Sequence, residues 1–268
     1  MMENFLNHNI GFTEYITGNR FIDICDITGA TFCKTDYIRE MCDENIKVLV
    51  THNSDYHIND LVYSAKPRTV KKWFAQNKDL NNSNVISIPI GLENMNLRVS
   101  LNSRAGRFSS EVKNALKKGQ IISTQFEKGV KKTKLAYLNF NSSTYPRERN
   151  YVKKMFSHNS KVSCASGLTL EQYYSDIASH KFVISPRGNG VDCHRTWEAL
   201  YLKSIPIVRN TCNIKEFNEL PILFVDKWED LNYINLEETY EAMMSKKYDL
   251  GKMKISYWEQ IIRESLNE

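Results

Sequence analysis

Residues 180–208, HKFVISPRGNGVDCHRTWEALYLKSIPIV, hold the densest set of side chains able to do chemistry. A buried strand ends at Ser185 and runs into Pro186, Arg187, Gly188, Asn189 and Gly190. Asp192 then caps a helix through Leu202, and a second buried strand starts at Ile205. A strand, a glycine-containing loop and a helix N-terminus form an anion site, because free N–H groups and the helix dipole point outward there. Gly188 and Gly190 permit close backbone approach or positive φ, and Arg187 adds a guanidinium fork suited to phosphate oxygens. His194, Arg195 and Glu198 fall three and four residues apart and share one neighbourhood on the first turns. Glu198 is placed to accept hydrogen bonds from a ribose diol; pairing with Arg195 or His194 within the helix is the alternative that local sequence leaves open.

The flanking elements must hold this loop at the end of a sheet. From residue 134 the chain reads as strand KLAYLNFN (134–141), a helix from Glu148 to Phe156 and a capping box of Thr169 with Gln172 that opens another through Ala178. Strands follow at 181–185, 205–208 and 222–225, then a last helix with Met253, Tyr257, Trp258, Ile261, Ile262 and Leu266 on one face. Upstream, strands are expected at 21–27, 46–50 and 85–94, with a short helix at 36–43 and another over 66–78 carrying Val70, Trp73 and Phe74. Alternating strands and helices predict parallel α/β layers. Residues 113–134 carry seven Lys and one Glu and read as a solvated linker with a short helix around 109–118. The alternative, that these lysines border an anion-binding cleft, stays open. Two halves result, 1–130 and 131–268, joined through a basic linker near 98–133.

Composition narrows the class. In 268 residues, 41% hydrophobic and 25% charged side chains exclude disorder and a membrane bundle. No apolar run reaches the length of a membrane span, and MMENFLNHNIGF lacks the basic start and apolar core of a secretory signal, so a soluble chain is expected. Six cysteines without a CxxC pair point to reduced thiols in a cytoplasmic setting. A net charge of +5 suits an anionic ligand but not nucleic acid by itself. No GxxxxGK[ST] loop is present, which removes P-loop phosphotransfer.

The run FVISPRGNGVDCHRTWEALYLKSIPIV resembles the donor-binding region of exostosin-like glycosyltransferases, glycosyltransferase family 47 and its relatives. Such segments read as a strand, S/C-P-R-G, a helix with an R-x-x-E-A-L core and a small–I/V-P-V/I strand. Here these are Ser185 to Gly188, Arg195 to Leu200 and Ile205 to Val208. Short members of this kind are similar to enzymes of large algal DNA viruses, a kinship pointing to a pentose such as xylose. The resemblance implies a GT-B architecture: two Rossmann-like halves with parallel sheets facing a central cleft. The donor would sit in the C-terminal half and the acceptor mainly on the N-terminal half. It also implies an inverting transfer from a UDP-sugar to the hydroxyl of an oligosaccharide or glycoprotein glycan. Carried over, Arg187 holds the diphosphate, Glu198 the ribose, and Gly188, Asn189 and Gly190 shape the loop. His194 and Arg195 lie near phosphate or sugar, Asn139 or Asn141 meets base or sugar, and Arg147, ahead of Arg149, reaches the phosphates. Lys203 stands where glycine is usual in this pattern.

An inverting transfer needs a general base beside the acceptor hydroxyl. The strand KVLV ends in Thr51 to His57, placing Asp55, then His52 and His57, at the mouth of the N-terminal half, with Glu93 and Asn94 bordering the same cleft. Asp55 as a helix cap beside surface histidines is the competing reading. No Asp-x-Asp triplet occurs, and Asp23 and Asp26 within the expected strand would face opposite ways. No cofactor and no obligatory metal are therefore expected. A non-catalytic nucleotide-sugar or glycan-binding protein is the second hypothesis.

Overall fold

The computed structural model describes residues 2–41, 45–93 and 112–268. Strand β1 (Met2–Asn4) is followed by helix α1 (Gly18–Thr28), β2 (Thr31–Lys34), β3 (Val48–His52), α2 (Asp60–Ser64), β4 (Lys72–Ala75) and β5 (Val85–Ser87). Strands β2 to β5 pair in sequence order, all parallel. Helix α3 (Val112–Glu127) leads to β6 (Lys134–Leu138), α4 (Pro146–Phe156), β7 (Val162–Cys164), α5 (Leu170–Ser179), β8 (His180–Ile184), α6 (His194–Tyr201), β9 (Ile205–Arg209) and β10 (Leu223–Val225). These strands form a second parallel sheet in the order β10-β9-β8-β6-β7. Helix α7 (Leu236–Met244), strand β11 (Lys247–Asp249) and helix α8 (Ile255–Asn267) complete the chain. The expected architecture of two parallel α/β halves is present.

Strand order fixes where a ligand belongs. Counted from β6, the second sheet runs 2-1-3-4-5, so the chain reverses direction across the sheet between β6 and β8. Open α/β sheets bind ligands outside the carboxyl ends of the strands at that reversal. Here those ends lead into Asn139–Asn141 and Ser185–Gly190.

Most elements of the second half lie where the sequence places them. The capping box at Thr169 and Gln172 is formed in both directions. The first half needs several corrections. Residues 21–27 are not a strand but most of α1: the Thr17 side chain accepts from Arg20 N, and Gly29 ends the helix at φ 84°. Phe21, Ile24 and Cys25, spaced three and one apart, are its buried face. Asp23 and Asp26 lie on the exposed side of this helix rather than on opposite faces of a strand. Residues 72–75 are not helical but form β4, between β3 and β5, with Phe74 facing one core and Trp73 the other. A strand covered on both faces reads as a continuous apolar run, which hides its period. The strand expected at 85–94 stops at Ser87, β2 is additional, and residues 35–41 form a 3-10 helix. Helix α3 runs well beyond the short helix expected at 109–118, whose first residues lie outside the described ones, as does Asn94.

The ends of the chain cross over. The N-terminal segment lies on the second half: β1 pairs antiparallel with β11, and Tyr15 packs on Tyr201 at 4.5 Å between ring centroids. Helix α8 returns to the first half, packing on α1 and β3. One apolar cluster therefore contains Val48 and Phe74 together with Phe182 and Trp197. All four tryptophans are buried in the core. No helix among the described residues is long and apolar enough to cross a membrane.

Gly91 marks the tightest approach in this junction. It adopts φ 63°, and a Cβ there would collide with the carbonyl of Ile16, whose oxygen accepts from Leu92 N at 2.8 Å. Gly29 also has positive φ, but open space surrounds it. We expect Gly91→Ala to cost about 3 kcal/mol or more, and Gly29→Ala only about 1–2 kcal/mol. Urea unfolding of both variants measures the difference; equal costs would mean that the contact with Ile16 is not constraining.

Candidate active site

Arg187 emerges from the loop after β8 and reaches across to the first half. Its guanidinium donates to His57 Nε2 at 2.6 Å and to the Asn189 carbonyl at 3.0 Å, and it lies 4.5 Å from the centre of the Tyr145 ring. Since arginine only donates, the His57 ring carries its proton on Nδ1, 3.5 Å from Asp79. Asn189 Nδ2 donates to Asp55 Oδ2 at 3.2 Å. The loop expected to hold the donor and the loop expected to hold the base thus meet directly.

Behind Arg187 stand two further guanidiniums. Arg149 is buried and donates to the carbonyls of Arg187 (2.8 Å) and Asn141 (2.7 Å), with Pro186 O at 3.5 Å. Burial first, and then the charge of Arg195, lower its pKa to about 10. Arg195 donates to the Asn139 carbonyl at 2.9 Å. Both cations lie against the Phe140 ring, at 5.5 and 5.3 Å from its centre. Among the described residues no carboxylate forms a salt bridge with Arg149, Arg187 or Arg195, so positive charge accumulates at the sheet's reversal point. Arg149 shapes the loop from beneath, while Arg147, the arginine placed ahead of it by sequence, is exposed on the first turn of α4. Glu148 does not compete for either, pairing instead with Arg209 and the Trp228 indole.

The glycines serve close approach, without positive φ. A Cβ on Gly188 would lie 3.1 Å from the Arg149 guanidinium, and one on Gly190 2.6 Å from the Asn77 amide. Asp192 does not cap α6; that position belongs to Cys193, without a side-chain cap bond. Its carboxylate is buried and accepts from Ile90 N (2.8 Å), Cys193 N (2.8 Å) and the Trp197 indole, tying the two halves together. Burial raises its pKa to about 6 despite these donors. Asn141 is exposed, its side chain accepting locally from Ser143 N and Oγ.

Glu198 pairs with neither helix neighbour. Its oxygens accept from Tyr173 (3.0 Å) and Tyr174 (2.8 Å), and Lys118, itself bound to Glu93 at 2.6 Å, approaches to 3.8 Å. No sequence signal pointed to the adjacent tyrosines. His194 turns to the first half, donating from Nδ1 to the Gly91 carbonyl at 2.8 Å. Its Nε2 is left as an acceptor in the wall of the main cavity, and burial lowers its pKa.

That cavity, about 520 Å³, opens at the carboxyl ends of β2 and β3 and is lined by Lys34, Asp36, His52, Asp55, Glu93 and His194 among others. Lys34 and Asp36 went unnoticed in the sequence because β2 itself did. Asp55 is exposed at its wall. His52 is buried with both nitrogens engaged: Nδ1 accepts from Asn53 N at 2.8 Å, and Nε2 donates to the Pro89 carbonyl at 3.1 Å. A smaller cavity of about 120 Å³ lies at the start of α6, lined by Arg187, Cys193, Thr196 and Tyr145 among others. Among the described residues no group of three or more His, Cys, Asp or Glu side chains is arranged to share a metal ion.

Set beside known proteins, residues 147–268 match the family model described as the RXYLT1 C-terminal domain. A crystal structure of an alpha1,3-fucosyltransferase with GDP-fucose is similar over 82% of this chain and 79% of that one, with 10% identity and a TM-score of 0.41. No curated protein matches the chain.

The buried groups make stability depend on pH in opposite directions. His52 is held down to about 4 by burial and His8 to about 3. Their contribution is complete above the ordinary histidine pKa near 6.5 and is lost as pH falls toward these values. Asp192, raised to about 6, contributes below the ordinary aspartate pKa and loses that contribution as pH rises through 6. We expect the histidines to dominate, with stability rising from about pH 4 to 6.5. His52→Gln should flatten the rise by about 3 kcal/mol, and Asp192→Asn should steepen it. Urea midpoints at pH 4.5, 5.5 and 6.5 measure both; an unchanged slope in His52→Gln would contradict the assignment.

Proposed function

We propose that this chain is an inverting glycosyltransferase that moves a sugar, xylose foremost, from a UDP-sugar to a hydroxyl of an oligosaccharide or glycoprotein glycan, in the cytoplasm and without an obligatory metal. The observation that carries the reading is the meeting of Arg187 and Asn189 with His57 and Asp55 beside the main cavity. A donor diphosphate at the reversal point of the second sheet would face Arg187, Arg195 and the first turn of α6. Its sugar would point toward the cavity, where the acceptor hydroxyl is bound. Asp55 takes the proton from that hydroxyl as its oxygen attacks the anomeric carbon from the face opposite UDP. The bond to the diphosphate breaks, and the guanidiniums receive the leaving charge. His52 has no free nitrogen for this step, and His57 is held by Arg187. His194 Nε2 is the second acceptor in the cavity wall. Glu198 would reach a ribose only by exchanging a tyrosine hydroxyl for a sugar hydroxyl.

Calorimetric titration with UDP-sugars in EDTA tests the donor assignment. Arg187→Ala should weaken binding about 100-fold. Asp55→Asn should keep donor affinity and slow transfer by about 10²–10⁴, while His194→Gln should be milder. Full transfer by Asp55→Asn with a large loss in His194→Gln would move the base to His194. Binding that no substitution converts into a change of turnover, because no transfer occurs, would favour a nucleotide-sugar-binding protein. Absence of binding to every UDP-sugar, or binding only with Mn²⁺, would overturn the metal-free reading.

A further inference from the structure

A second cavity, about 320 Å³, lies beyond the C-terminal end of α6, away from the loops that meet at Arg187. Lys131, Lys132 and Lys203 line it, with Phe126, Val130 and Tyr240 among its apolar walls, and among the described residues no acidic side chain lines it. Among the described residues none of these three lysines forms a salt bridge.

Lys203 is the informative residue. Helix α6 ends in a full Schellman motif: Ser204 N donates to the Ala199 carbonyl at 2.8 Å and Lys203 N to that of Leu200 at 3.0 Å. The motif requires a left-handed residue at position 203, and Lys203 has φ 59°. Glycine adopts this conformation freely, whereas a residue with Cβ pays roughly 1–2 kcal/mol. The cost places an ammonium 4.1 Å from the centre of the Phe126 ring, where it has no hydrogen-bond partner among the described residues. Strain of this kind persists where the side chain has a use.

Lys132 has part of its ammonium committed, donating to the Leu202 carbonyl (2.7 Å) and Ser204 Oγ (2.5 Å) at the helix C-terminus. Burial, and then the charge of Lys203, push its pKa well down. Two amines thus face one cavity, each disfavouring charge on the other, with no carboxylate among the described residues lining it to offset them.

We propose that this cavity is a second anion site, distinct from the donor cleft, for a small soluble organic phosphate or carboxylate with a flat or short apolar body. The anionic head would sit between Lys203 and Lys132 and the apolar part against Phe126 and Tyr240. The lysine-rich stretch after α3 is then, at Lys131 and Lys132, the border of an anion cleft rather than a solvated linker alone.

The test is titration of the full chain with phenyl phosphate, with inorganic phosphate and phenol as probes of head and body. Lys203→Gly suits the backbone at φ 59° and should unfold no earlier than wild type, so it removes the ammonium without harming the fold. Saturable binding of phenyl phosphate is expected, tighter than either fragment, weakened about tenfold or more in Lys203→Gly and unchanged in Arg187→Ala. No saturable binding by wild type, equal affinity in Lys203→Gly, or loss in Arg187→Ala would each overturn the proposal. The last result would place the probe in the donor cleft.

Discussion

The buried carboxylate of Asp192 is the constraint on which the rest of the site depends. It sits one residue before the N-cap of α6 and accepts N–H groups from the start of that helix, from Trp197 and from Ile90 in the other half. Each of these donors would be an unsatisfied buried group without it. The same junction uses Asn77, whose Oδ1 accepts from Asp192 N while its Nδ2 donates to the Ser54 carbonyl. A single polar knot therefore sets the helix start, the end of the β5 loop and the 51–57 loop relative to one another. The contact of Arg187 with His57 follows from that alignment.

The guanidiniums divide their labour by depth. Arg149 and Arg195 spend hydrogen bonds on the carbonyls of Asn139, Asn141 and Arg187, so they hold the shape of the two strand ends. Arg187, nearer the surface, presents its fork to the space between the halves. Charge that would be costly to bury singly is partly satisfied by the backbone, yet among the described residues no carboxylate pairs with it. A frame of this kind is preorganised for an anion before one arrives.

How much of this was legible depends on how the residues signal. The 180–208 segment was readable because strand, turn and helix there obey their local patterns, and because glycine and arginine have narrow uses. Within it, Asp192 and Glu198 were recognisable as special but not by partner, since Ile90 and the Tyr173–Tyr174 pair lie far away in sequence. The first half was harder. Phe21, Ile24 and Cys25 fit a helix as well as a strand until Thr17 and Gly29 are read as its caps. Trp73 and Phe74 are adjacent and both buried, on opposite faces of a doubly covered sheet, which no single period describes. Missing β2 also concealed Lys34 and Asp36 at its end. Lys203 was noticed as a departure from glycine, but its left-handed backbone was visible only in the fold.

The crossing of the chain ends bears on how the molecule assembles. Residues of the first segment, such as Phe5 and Tyr15, pack against Tyr248 and Tyr201, while Trp258 of the last helix packs against Phe21. Each half is thus completed by a segment whose neighbours in sequence belong to the other. Cutting the chain between the sheets would strip an apolar face from both pieces, so an isolated second half would be born with exposed core. Such interlacing makes the halves one cooperative folding unit, dominated by contacts between distant parts of the sequence, and slow formation is the expected kinetic cost. On a ribosome, the second sheet can be synthesised in full before α8 exists to finish the first.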